Sequence, residues 1–425
     1  MLVPYTPQAF YYIVGENLKN PLRLIELFAG YGSQALALKY LGIPFEHHFV
    51  CEFDKYAIKS YNDIHGTDFE VSDIKNISAE YLNITDTENY KYLLTYSFPC
   101  TDLSMAGKRK GMQRESGTSS SLLWEVERLL KECKELPQYL LMENVPQVIG
   151  KDNIKLFGEW TYFLTKLGYN NYYKLLNAKD FGVPQNRNRC FMVSILKSEN
   201  KGFVFPKPKK LEKRLKDVLE DVVDDSYYLS DSVVERLILH KERNEINGNG
   251  FGFTIKPADC IANSLVTASG KSNSNYVATV QYNQSDSRRK IKWGDIAGTL
   301  ISSDAHPQAV VIKNNTKTGY DFAEPGDGVD ISSRMEYHRG TVQNGTSQTL
   351  KTSADVGVVC ENYRIRKLTP KECFRLMGVK DEDYEKLTVS KTQKYKQAGN
   401  SIVVDVLMAI FENMFIKDCK SNKLF

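Results

Sequence analysis

The sequence predicts an α/β protein: a doubly wound, mostly parallel sheet joined to a smaller, irregular β-rich domain. Three observations carry this. Short apolar runs alternate with helical stripes from residue 22 to about 200. The composition turns to Gly, Asn, Ser and Thr with brief apolar bursts over 245–355, and helical patterning resumes after 360. The 425 residues suit two or three domains at a prior of about 150 residues each. A hydrophobic share of 42% with 25% charged residues excludes a mainly disordered chain.

The elements follow in order. RLIELF (23–28) is a strand ending at glycines, and SQALALKYL (33–41) has helical spacing. HHFVC (47–51) is a second strand and Lys55–His65 a second helix. YLLTYS (92–97) is a strand. Leu122–Glu135 places Leu122, Leu123, Val126, Leu129, Leu130 and Cys133 on one helical stripe. Residues 138–142 and 189–196 read as further strands. Residues 207–216 (KPKKLEKRLK) hold six basic residues and one acid, either a solvated linker or a phosphate contact. A hydroxyl residue followed by Leu recurs at Ser264, Thr299 and Thr349, each before an apolar burst, which suggests three similar hairpins or turns. Thr369, Pro370 and Glu372 open a helix as a capping box, with Gly378 at its end. Residues 401–415 form an apolar helix that needs a partner in the first domain. The expected limits are 1–204, 205–355 and 356–425, the last segment completing the first domain.

No apolar run reaches the roughly 18 residues of a spanning helix, and the N-terminus does not read as a secretory signal. The eight cysteines form no Cys-x-x-Cys pair and the six histidines no metal-ligand spacing. Reduced thiols, a cytoplasmic protein and no metal are therefore expected. A net charge of +4 says little about nucleic acid; only local clustering can.

The chemistry concentrates at strand ends, where open parallel sheets bind ligands. FAGYGS (28–33) is a glycine turn between strand and helix, and Glu52, at the end of the next strand, suits ribose hydroxyls. Asp73 and Ile74 are candidates beside an adenine ring. SFPC (97–100) puts Cys100 just past a strand, followed by SMAGKRKGMQR (104–114), a basic segment with two glycines able to close over a phosphate backbone and to lower the thiol pKa. MENVP (142–146) aims Glu143 into the same crevice. QNRNR (185–189) sets Arg187 and Arg189 one strand period apart, for phosphate or base contacts or a structural ion pair.

In this order FAGYGS, PC, ENV, QNRNR and AGNS (398–401) resemble the motifs of the cytosine-5 DNA methyltransferases, in their prokaryotic or phage form. RKLTPKECFRLMG (366–378) and QAGNSIVVDV (397–406) resemble the family's returning segments, and the span between is where it places target recognition. The resemblance implies a Rossmann-like fold dependent on S-adenosylmethionine, with Cys100 as nucleophile, Glu143 as the carboxyl on the cytosine ring, and Arg187 and Arg189 beside the base. It implies a cofactor pocket of Phe28, Gly30, Tyr31, Gly32, Ser33, Glu52, Phe53, Asp73, Ile74, Pro99, Leu122, Asn400 and Ser401. Ser104, Lys108, Arg109, Lys110 and Gln185 are the candidate DNA contacts. Thr101 stands where many members have Gln after the nucleophile. The implied partner is double-stranded DNA, with a restriction endonuclease acting separately; a monomer without a membrane, associated with the nucleoid during action, is expected. The same chemistry on RNA, a non-catalytic DNA-binding relative and a nicotinamide-dependent oxidoreductase are the rival readings.

Overall fold

The computed structural model describes residues 20–100, 103, 112–114, 117–227, 310–313, 320–323, 327–330, 341–348, 356–359 and 365–417. The chain divides into two units. One takes residues 1–183, 187–211 and 377–425; the other takes Pro184–Asn186 and Glu212–Leu376.

In the first unit, β1 (Leu22–Leu27) is central and almost wholly buried, the near-continuous apolar run expected when both faces of a parallel strand are covered. It pairs in parallel with β2 (Phe45–Cys51) and β3 (Lys91–Tyr96), and β3 pairs in parallel with β4 (Tyr139–Asn144). Helix α1 (Ser33–Leu41) starts after Gly32 and stops at Gly42, both left-handed. Helix α2 (Lys55–His65) is capped by Asp54, whose carboxylate accepts from the Tyr56 N–H at 2.8 Å. Short α3 (Ala79–Leu82) precedes β3, and α4 (Leu123–Glu132) buries Leu123, Val126, Leu129 and Leu130.

α5 (Ile154–Lys166) and β5 (Tyr169–Asn177) are among the elements that escape the sequence reading. β5 runs antiparallel to β7 (Asn188–Leu196), and β7 antiparallel to β4, giving the order β2-β1-β3-β4-β7-β5. β6 (Gln185–Asn186) belongs to the second unit. The parallel expectation therefore holds for β1 to β4 and fails beyond. The link from β5 to β7 is too short for the dozen or more residues of a parallel crossover, so the chain reverses.

The second unit carries β-structure, as expected. β8 (Val310–Lys313) and β9 (Tyr320–Ala323) form an antiparallel pair. β10 (Gly328–Asp330), β11 (Val342–Gln343), β13 (Val356–Val359) and β14 (Ile365–Lys367) form an antiparallel sheet, and β12 (Ser347–Gln348) pairs with β6. Helix α6 (Pro370–Arg375) has the full capping box of Thr369 and Glu372. The unit's limits fall at 212 and 376 rather than 205 and 355. The reason is local pairing: β13 and β14 join β10 in one sheet, and Glu372 accepts from the Glu220 N–H at 2.8 Å. The repeats at Ser264 and Thr299 lie outside the described residues, as does Thr349; of the three bursts after them, the last two form β8 and β13.

Back in the first unit come α7 (Asp381–Tyr384), α8 (Lys391–Asn400) and α9 (Val404–Phe411), the last continuing as a wider turn over Glu412–Ile416. The helix expected over 401–415 thus runs from Val404 to Ile416, starting three residues late. Lys391–Ile416 is long and apolar enough to cross a membrane by length and composition. Here its apolar residues Val404, Val406, Leu407, Ile410 and Phe411 are core of this unit, and Phe415 meets Tyr139 edge-on at 5.2 Å. α9 packs on α1, as the sequence demanded.

Candidate active site

Three loops at the carboxyl ends of β1, β3 and β4 build the site. The register that sets Tyr96 opposite Met142 puts the residues after β3 beside the end of β4. The Asn144 side chain then donates to the Phe98 carbonyl at 2.9 Å while its own oxygen accepts from the Val145 N–H at 2.8 Å. The Ser120 hydroxyl donates to the Pro99 carbonyl at 2.8 Å. The loop bearing Cys100 is thereby tied to the loop after Glu143. Sequence reading missed both ties. Alternation along β4 was the available signal, since it turns Asn144 away from the face that Glu143 uses.

Glu143 pairs with Phe191 across the antiparallel register, and Arg189 is two residues back on β7, hence on the same face. Arg189 Nε lies 3.2 Å from Glu143 Oε1. Glu143 is only 7% exposed. Burial pushes its carboxyl up, and the Arg189 and Arg187 charges pull the other way without winning. Half-buried Cys100 feels the same groups. Burial and the Glu143 charge push its thiol up, and Arg189 and Arg187 pull it down. Desolvation outweighs the two arginines, and the lowering expected from the basic segment rests on residues outside those described. Thr101, Ser104, Lys108, Arg109 and Lys110, in and before the basic segment, lie outside the described residues.

Arg187 departs from the sequence expectation. It does not share an open face with Arg189; it is buried, donating to the Gly399 carbonyl at 3.0 Å and the Ser401 carbonyl at 2.7 Å. Burial and the neighbouring Arg189 charge pull its guanidinium down to about 9, which leaves it charged at neutral pH. Through these two bonds it holds the AGNS turn in place. Gln185, a candidate DNA contact, is 0% exposed, and its amide donates to the Leu376 carbonyl.

The glycine turn shows why its residues are needed. Phe28, Gly30 and Gly32 all have positive φ, at 59°, 59° and 83°. A methyl on Gly32 would sit 2.3 Å from His65 Nε2 and 2.7 Å from Tyr61 Cε2. Glu52 Oε2 accepts from the Gly30 N–H at 2.9 Å and Oε1 from the Asp54 N–H at 2.8 Å. The carboxylate is thus fixed in direction, with lone pairs left for hydroxyl donors. Beside it the Phe53 ring is 73% exposed, an apolar face without cover. Asp73 caps a short turn through the Lys75 N–H at 3.0 Å, and Ile74 is buried under it. Pro99 and Leu122 are half-buried, and Asn400 is exposed. The Ser401 hydroxyl donates to the Gln397 carbonyl at 2.6 Å and would lie 3.9 Å from a Cβ on Gly30, so the AGNS and FAGYGS turns adjoin. The Tyr31 and Ser33 side chains are buried, the Tyr31 hydroxyl facing Ser33 and Ser401, so these two would meet a ligand through their backbone. A bare aromatic face, an oriented carboxylate and glycine backbone fit a ribose-bearing cofactor such as S-adenosylmethionine.

Comparison with known proteins identifies the family. The family model for C-5 cytosine-specific DNA methylase matches residues 22–416. The type II methyltransferase M2.ScrFI of Lactococcus lactis subsp. cremoris is 30% identical, over 93% of this chain and 99% of its own length. The orphan methyltransferase M.SPRI of Bacillus phage SPR is 29% identical, over 92% and 97%. Among solved structures, the Entamoeba histolytica methyltransferase EhMeth shares the fold with a TM-score of 0.56 at 16% identity, over 94% of this chain and 100% of its own. With thiol, carboxyl and arginine gathered at adjoining strand ends, and a family match running through nearly all of the chain, the protein belongs to the C-5 cytosine-specific DNA methylases.

Proposed function

We propose that Cys100 and Glu143 engage one cytosine flipped from duplex DNA, beside S-adenosylmethionine held by the FAGYGS turn, Glu52 and Phe53. As a DNA cytosine-5 methyltransferase, the enzyme must overcome the poor nucleophilicity of ring carbon 5. The observation that carries the assignment is the ion pair of Glu143 with Arg189 in a pocket whose charges also act on Cys100.

The Cys100 thiolate adds to ring carbon 6, forming an S–C bond and sending the displaced electron pair toward carbon 5. Glu143 holds ring nitrogen 3 and, when protonated, donates to it as charge develops there. Its raised proton affinity suits that role. A protonated Glu143 also removes the negative charge that opposes the Cys100 thiolate, so the two states favour each other. Arg189 orients the Glu143 carboxyl, and Arg187 fixes the backbone of the AGNS turn. When bound, S-adenosylmethionine supplies an electrophilic methyl group on a sulfonium centre. Once carbon 5 carries the methyl group, loss of its proton and departure of Cys100 Sγ restore the ring. Flipping the base costs a few kcal/mol, which contacts to the phosphates and bases offset.

The second unit is assigned to target recognition. The relatives, type II and orphan phage methyltransferases, favour a role in restriction-modification or as an orphan enzyme; we further infer that any endonuclease is a separate protein and that the enzyme acts on DNA as a monomer in the cytoplasm. The decisive experiment is Cys100→Ser. Methyl transfer to duplex DNA is expected to vanish while calorimetric binding of S-adenosylhomocysteine persists. Full activity in that variant rejects the scheme, and transfer to tRNA in preference to DNA by the wild type rejects the DNA reading.

A further inference from the structure

The basic run that follows the last strand of the first unit is not used by the mechanism, yet it is held firmly. Phe203 is buried and stacks edge-on with Tyr172 at 5.6 Å and Phe205 at 5.0 Å. Asn413 donates to the Val204 carbonyl at 3.0 Å, and the Lys209 N–H donates to the Asp180 carbonyl at 2.8 Å. Between these anchors Pro206 is buried, while Lys207, Lys209 and Lys210 are exposed. Proline at 206 and 208 fixes φ near −65° and narrows the free conformations of the run. Exposed Lys179 lies next to Asp180, to whose carbonyl the run is tied. Among the described residues none of these four ammonium groups is in an ion pair; the nearby acids are Asp180 and Glu212. An ordered row of unneutralised cations differs from a floppy linker, because little further ordering is lost when it binds.

Its place in the fold gives it a partner. The run is tied to the turn Ala178–Phe181, which leaves β5 where Asn177 pairs with Asn188. The Ala178 N–H donates to the Arg187 carbonyl at 2.9 Å. The row is therefore attached at the same end of the sheet as Arg189, Glu143 and Cys100. Two hydrogen-bonded steps of about 5 Å and two residues of chain separate the Lys209 backbone from that of Arg187. A duplex presenting a base to Cys100 extends well beyond that distance, since one helical turn spans about 34 Å.

We propose that Lys179, Lys207, Lys209 and Lys210 form a phosphate-binding strip that grips the duplex flanking the target cytosine. The proposal rests on the DNA methyltransferase reading. An extended chain rises about 3.3 Å per residue, so Lys207 and Lys209 stand roughly 7 Å apart, about two phosphates of one strand at 3.4 Å of axis each. The strip reads no bases; it sets position and orientation.

The test is the variant with all four lysines changed to Gln. Its affinity for duplex DNA is measured against salt, beside turnover at saturating DNA and calorimetric binding of S-adenosylhomocysteine. Each lost phosphate contact reduces the slope of log K against log salt by about 0.9, so a fall of about 2 to 3.6 units is expected. Weakening should be at least tenfold at low salt, and equal for cognate and unrelated duplexes. Turnover at saturating DNA and cofactor binding should hold. An unchanged salt slope in a variant that still binds cofactor overturns the strip, as does a loss confined to turnover. The wild type methylating the same duplex in parallel separates failure of the strip from failure of the underlying activity.

Discussion

Replacing Glu143 by Gln keeps the size of the side chain and removes its charge and proton. In the native pocket Arg189 Nε is 3.2 Å from the carboxylate. At an effective dielectric constant of about 20 that contact has a gross attraction of about 5 kcal/mol, most of it offset by the cost of burying both groups. A net loss of about 1–3 kcal/mol of stability is expected, the cost of leaving a buried polar partner unmatched. The catalytic loss should be larger in relative terms: about 10²- to 10⁴-fold in kcat, or roughly 3–5 kcal/mol of barrier. Cys100 should respond in the opposite sense. The Glu143 charge pushes its thiol up, so Glu143→Gln should lower the pKa seen in the pH dependence of iodoacetamide alkylation. A more reactive thiol in a far slower enzyme distinguishes direct action on the base from simple damage to the pocket. If the alkylation profile is unmoved or shifts to higher pH, the coupling between the two groups is refuted.

Three other outcomes are expected. Gly32→Ala should cost about 2–5 kcal/mol in chemical denaturation and weaken cofactor binding, because φ is 83° and the methyl group meets His65 and Tyr61. Phe53→Ala should raise the Kd for S-adenosylhomocysteine about two- to tenfold with an unchanged melting temperature, since the exposed ring packs on little else. Glu26 is wholly buried with the Tyr61 hydroxyl donating to it, and burial pushes its carboxyl up from 4.5 to about 8. Between those values the unfolded chain releases this proton and the folded one keeps it, so stability falls as pH rises, by up to about 1.4 kcal/mol per unit. Glu26→Gln should flatten that alkaline arm in melting curves from pH 5 to 8. The acid arm from His65, which burial lowers to about 3, should remain.

Elements bounded by strong local chemistry were legible before any coordinates. α1 and α2 match their expected limits because left-handed glycines end both and Asp54 caps the second. The capping box at Thr369 is equally local. β5 was missed because it is an edge strand with Tyr173, Lys174 and Leu175 all exposed, so it lacks the alternation that marks a half-buried strand. The antiparallel turn of β7 depends on the length of a connection whose starting strand went unseen. In the site, Cys100, Glu143 and Glu52 were legible as residues at strand ends. The depth of Arg187 was not, since spacing gives a face and not how far the fold covers it. The direction of the Cys100 shift was not legible either, being the balance of opposed contributions from burial, one carboxylate and two arginines.

Arg187 gives its hydrogen bonds to Gly399 and Ser401, and α9 covers α1. The pocket assembled from the early part of the chain is therefore closed by residues translated some two hundred positions later. A nascent polypeptide carrying Cys100 and Glu143 has every reactive group and no finished enclosure for them. Premature termination anywhere before this closing segment should yield an inert product rather than a poorly selective methylase. Conversely, separately expressed early and late fragments should regain activity when mixed.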